Sequence, residues 1–114
     1  MIVSFADNLV MVCDATTSVV TTDPVAMDGN DRLAGVLNVH YIFGASGLLS
    51  IQLQGSNDGT TWIDLGAPET EGAAEASGLG QVAAAYAFVR YEFTFSATGV
   101  GGICFDLHSR LDHA

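Results

Sequence analysis

The chain has 114 residues, about one domain's worth, with 49% apolar and 14% charged side chains. That composition supports one core without disulfide or metal staples. Thirteen acidic residues, three arginines and no lysine give a formal net charge of −10, which excludes binding to nucleic-acid phosphates, disfavours anionic membrane surfaces and removes lysine Schiff-base and Walker-type chemistry.

Met1 to Asp7 carries no basic residue and no long apolar run, so it does not read as a secretory signal. Met1 to Asn8 reads as an extended N-terminal arm. Leu9 to Cys13 and Ser18 to Thr21 are short strand candidates. Between Thr22 and Asp31 the oxygen-bearing side chains Asp23, Asp28, Asn30 and Asp31 collect in a turn-rich segment. Hard oxygen ligands in a loop suit calcium, but the spacing departs from the EF-hand register and lacks its terminal Glu. Asp23, Asp28 and Asp31 are therefore weak calcium candidates beside the plainer reading of solvated carboxylates, and no metal or cofactor is assigned.

Period-two alternation then dominates. Leu37, Val39, Tyr41 and Phe43 share one face of a strand, and Gly44-Ala45-Ser46-Gly47 reads as a hairpin loop leading to Leu49, Ile51 and Leu53. Asn57-Asp58-Gly59 is a turn, since these residue types tolerate left-handed backbone. A short strand follows over Thr61 to Leu65, with Trp62 read as a core plug or, in the alternative, a sugar-stacking platform. Gly66 to Gln81 lacks a pattern and reads as a functional loop or an excursion between sheets, with room for a short helix over Glu71 to Ala76. Ala87, Val89, Tyr91, Phe93 and Phe95 alternate with Arg90, Glu92 and Thr94, and Arg90 is positioned to pair across strands with an acidic neighbour. Ser96 to Gly102 reads as a third hairpin, followed by Ile103, Phe105 and Leu107. The fold class expected is all-β, a single antiparallel β-sandwich or jelly-roll-like variant of about seven to eight strands, as one domain over residues 1–114.

Signals for catalysis are sparse. His40 and His108 fall at polar-face positions, His113 is penultimate, and no H-E-x-x-H or G-x-S-x-G pattern occurs. Cys13 and Cys104 stand too far apart for a metal or redox motif and read as buried structural thiols. The chain is read as a non-enzyme.

Gln54-Gly55-Ser56-Asn57-Asp58-Gly59, then two residues and Trp62, resembles the strand–turn–strand of discoidin-like sandwiches and of small β-sandwich virion proteins of tailed bacteriophages. Ala85 to Phe95, with its aromatic-x-x-Arg core, resembles the strand that follows in both groups, and the likeness spans roughly residues 33 to 108. The phage group fits better, because discoidin-type domains are longer and secreted. The resemblance implies a head decoration or cement protein that reinforces contacts between major capsid subunits, forms a homo-oligomer, a trimer by preference, and is made in the host cytoplasm. A net charge of −10 places such a protein on the outer shell surface, away from packaged DNA. Met1, Ile2, Val3, Ser4 and Phe5 are the candidate partner-binding residues. The rival readings are a tail or adaptor component and a carbohydrate-binding module using Trp62.

Overall fold

A computed structural model describes residues 1–113. Seven strands follow in order: β1 (Ile2–Asp14), β2 (Thr17–Thr21), β3 (Val25–Ala26), β4 (Arg32–Ser56), β5 (Ile63–Glu71), β6 (Ala76–Ala83) and β7 (Phe88–Asp112). All pairings are antiparallel and connect the strands into one sheet. The fold is all-β, as the alternation predicts.

The 25-residue strands β4 and β7 pair with each other from Arg32↔Asp112 to Ser56↔Phe88 and form the spine. The ribbon folds over at its middle. One half of the spine carries β1 and β6 at its edges; the other half carries β2, β3 and β5. The fold-over brings residues of one strand face to face: Phe93 and Phe105, both in β7, meet edge-on with ring centroids 4.9 Å apart. Phe5 of β1 likewise meets Tyr91 at 4.8 Å. The result is a two-layered sandwich made from a single sheet.

The bend explains two departures from the sequence reading. Gly44 to Gly47 and Ser96 to Gly102 are not hairpin loops; they lie inside β4 and β7, facing each other where the ribbon turns. Gly44 has φ +111° and a Cβ there would stand 2.7 Å from the Cα of Gly101. Ser46 (φ 56°) and Gly99 (φ 89°) are also left-handed. The same glycines that permit a hairpin here permit a sharp bend in a continuing pair of strands.

The core consists of alternate residues from the spine and its edges. Leu49, Ile51, Leu53, Val89, Phe93, Phe95, Ile103, Phe105 and Leu107 are buried as their period predicts. Leu37 and Val39 join them, but Tyr41 and Phe43 do not. The register slips at His40, between Val39↔Phe105 and Tyr41↔Cys104. One extra residue in β4 flips the side chains that follow to the other face, until the register shifts again in the bend after Phe43 and returns Leu49, Ile51 and Leu53 to the core. Tyr41 and Phe43 therefore point outward, 45% and 50% exposed, and Ile42 packs against the core.

Residues 72–75 form a turn rather than a helix, and β5 and β6 on either side of it pair with opposite halves of β4. Gly66 to Gln81 is thus a crossing between layers. Met1 to Asn8 is not a free arm, because Ile2, Val3 and Ser4 pair with Arg110, Ser109 and His108 of β7. Val3 and Phe5 pack on the core, which ties this segment down.

Candidate functional site

The candidate partner residues divide between interior and surface. Val3 and Phe5 face inward, and the backbone N–H of Leu111 donates to Met1 O at 2.8 Å. Ser4 Oγ donates to Ala6 O at 3.4 Å, inside the strand irregularity of β1. Met1 and Ile2 remain 59% and 73% exposed. Ile2 borders a shallow apolar hollow with Ala34, Val36, His108 and Arg110. Of the five residues, Met1 and Ile2 are the two large apolar ones left accessible to a partner.

The calcium candidates are not gathered. Among the described residues, no group of three or more His, Cys, Asp or Glu side chains could hold a metal. Asp28 and Gly29, at φ 53° and 82°, form the turn before β4, and Asn30 Nδ2 donates to Met27 O at 2.8 Å. Cys13 and Cys104 are buried free thiols.

Trp62 is not in the core. It is half-buried just before β5, with the guanidinium of Arg90 4.2 Å from its ring centroid. Arg90 Nε donates to Gln54 Oε1 at 2.8 Å and Gln54 Nε2 donates to Asp64 Oδ1 at 3.0 Å. The arginine therefore joins an aromatic face and an amide chain, where the sequence suggested a cross-strand acid. The preceding turn is held by Asp58, whose Oδ1 accepts from Thr60 N–H and Thr61 N–H at 2.8 Å each and from Ser56 Oγ at 2.9 Å. These donors stabilise the carboxylate and hold its pKa well below the usual range, the backbone N–H groups of Thr61 and Thr60 contributing most. The Asn-Asp-Gly signal thus marks a structural turn.

A second polar group lies on the outer surface of the β1–β7–β4 half. Asp106 accepts from the Asn8 backbone N–H at 2.6 Å and bonds His40 Nε2 at 2.8 Å. The Asn8 bond, then His40, lower its pKa. Asn8 has φ 49° at the irregularity in β1, and His40 is the extra residue of the bulge in β4, so both irregularities converge on this carboxylate. His108 stands exposed one step along β7 on the same face.

The two outer faces differ in kind. On the β2–β7–β4–β5 half, the outward positions of β7 and β4 are Arg90, Glu92, Thr94, Ser50 and Gln52, a solvated polar ladder. On the β1–β7–β4 half, near the bend, they are Val10 and Val12 of β1, Tyr41 and Phe43 of β4, and Val100 of β7, each 45–65% exposed. Phe43 lies over Gly102, where a Cβ would come 2.6 Å from its ring, and its ring stacks with that of Tyr41 at 6.2 Å. Alternation alone puts Tyr41 and Phe43 inside, so this patch escaped the sequence reading. The signal that could have found it is Ile42, an apolar residue where the alternation of Asn38 and His40 calls for a polar one.

No family model matches the chain, and no curated protein matches its sequence. Among solved structures it is similar to proteins of infectious bursal disease virus. It superposes over 99% of its length on the Gx strain with a TM-score of 0.54 at 11% identity. A mutant VP2 protein of that virus, in its derived T=1 particles, matches over the same share at 0.60 and 12%, and the Gt strain at 0.56 and 11%. The chain spans 31–32% of the length of each of those chains. At such identity the likeness concerns the fold.

Proposed function

We propose that this chain is a non-enzymatic structural protein of a virion, a decoration or cement protein on the outer capsid surface that reinforces contacts between major capsid subunits. The observation that carries this reading is the superposition of 99% of the chain on proteins of infectious bursal disease virus, one of them VP2 in T=1 particles, with TM-scores of 0.54–0.60. The net charge of −10 favours the outside of a shell over contact with packaged DNA. The working parts are surfaces. The hollow edged by Ile2 and Val36, with Met1 beside it, is the contact assigned to the capsid partner, since it gathers exposed apolar side chains next to the Arg110–Asp112 ion pair, whose Nε–Oδ2 distance is 2.8 Å.

Quantitative peptide mass spectrometry on density-purified particles from the source culture tests this reading. A copy number near that of the major shell protein, or a simple fraction of it, supports decoration. A handful of copies moves the chain to the tail or an adaptor, and absence from particles refutes the virion reading. Ile2→Asp adds a residue-level test: the folded variant should fail to co-sediment with particles lacking the native chain.

The carbohydrate-binding reading keeps one specific observation, a tryptophan that is half-exposed instead of buried in the core. Arg90 covers part of its ring. A glycan that quenches or shifts Trp62 fluorescence would favour this reading.

A further inference from the structure

We propose that the apolar patch of Val10, Val12, Tyr41, Phe43 and Val100 is the interface through which two copies of this chain pair face to face. The inference rests on this packing alone and holds whether or not the chain belongs to a virion.

Three observations carry it. The first is that the patch is built into the backbone. The bulge at His40 turns Tyr41 and Phe43 outward, and Gly102 leaves room for the Phe43 ring to lie flat on the sheet. Without the bulge both aromatics would follow Val39 into the core. The second is size. At the exposures observed, these five side chains present on the order of 500 Å² of contiguous apolar surface, at the upper end of what a soluble monomer leaves uncovered. A standard interface takes about 800 Å² from each partner with an apolar centre and a polar rim. The patch supplies that centre. Asn38 and the His40–Asp106 pair supply one rim and Asp14 the other.

The third is charge, which sets where on the surface two copies can meet. Copies carrying −10 repel each other over most of their surfaces. No carboxylate lies within the patch. The acids near it on this face are Asp14 at its end and Asp106, the latter already engaged by His40 at 2.8 Å. An uncharged apolar surface is complementary to another of the same kind, and a second copy brings one. A two-fold axis through the patch makes the contact isologous and sets the Tyr41 and Phe43 rings of one copy against the apolar side chains of the other. This predicts a dimer, in place of the trimer that the phage resemblance implied.

Analytical ultracentrifugation from 1 to 100 µM of the full chain, Val12→Glu, Phe43→Ser and Val19→Glu tests the proposal. Val19 is 55% exposed on β2 of the opposite face and serves as the control. The wild-type chain and Val19→Glu should reach twice the 11.8 kDa chain mass. Val12→Glu and Phe43→Ser should weaken pairing at least about 30-fold, the scale of an interface hot spot. Val12 is 64% exposed and makes its point even if Phe43→Ser fails to fold. Circular dichroism and the unfolding midpoint identify the folded variants. A wild-type monomer throughout the range, a trimer, or a dimer indifferent to Val12→Glu overturns the proposal. So does a monomer whose Val12→Glu variant alone loses particle binding, which would give the face to the shell.

Discussion

Phe93 and Phe105 lie twelve positions apart in the same strand, yet their rings meet at 4.9 Å. In an unbent strand they would stand about 40 Å apart. Energetic coupling between them is therefore a direct reading of the fold-over. Both side chains are fully buried, and Phe93 also stacks on Tyr91 at 6.0 Å. Phe93→Leu and Phe105→Leu should each cost about 1–2 kcal/mol, less than the ~3–5 kcal/mol of truncation to Ala, because most of the apolar volume remains. The T-shaped contact adds about 0.5–1.5 kcal/mol beyond area burial, so the double variant should lose less than the sum of the singles by that amount. A total stability of about 5–15 kcal/mol tolerates both changes. Urea unfolding of the four proteins at pH 7 measures the cycle. Additivity within about 0.3 kcal/mol would place the rings out of contact and refute the folded-over sheet.

Other consequences follow from individual residues. Gly44→Val forces a β-branched side chain into φ +111° and against the Gly101 backbone; a loss of at least about 3 kcal/mol or failure to fold is expected, against a near-neutral Gly78→Ala, where a Cβ meets open space. Asp58 and Asp106 are held below their usual pKa by N–H donors, so their contribution to stability is present above the unfolded carboxylate range and fades as pH falls toward the lowered folded values. Asp58→Ala should flatten the decline in urea midpoint between pH 5 and 2 and speed amide exchange at Thr60 and Thr61; an unchanged profile would contradict the role given to the turn carboxylate. Burial, with the Glu69 charge adding, pushes the Tyr91 phenol up to about 12 despite its bond to Ser109. Its stabilising share is intact below about pH 10 and is lost as pH rises toward 12. Ultraviolet titration of the native chain minus Tyr91→Phe should isolate this late step, and ionisation near 10 would sink the assignment.

Much of the fold was legible because its cause is local. The alternation in Leu49 to Leu53, Val89 to Phe95 and Ile103 to Leu107 states which side chains are buried, and the residues obey it. What failed depends on distant partners. Gly44 to Gly47 looks the same whether the chain reverses or bends, and the long pairing of β4 with β7 decides the matter. The face of Tyr41 and Phe43 hangs on one unpaired residue, which a period-two pattern does not register. At the surface, the sequence pointed to Met1–Phe5, of which the sheet leaves Met1 and Ile2 as the exposed apolar pair. Trp62 was displaced from the core reading by a guanidinium arriving from β7. That contact spans 28 positions and has no local signature.

Cryo-electron microscopy of density-purified particles, with and without this chain, measures the central claim most directly. A virion decoration protein of this fold should appear as lattice-regular density on the outer shell, fitting a sandwich of 42 × 27 × 21 Å, and should vanish from particles lacking the chain. Density confined to the tail or the inner surface, or shells identical in the two preparations, would contradict it.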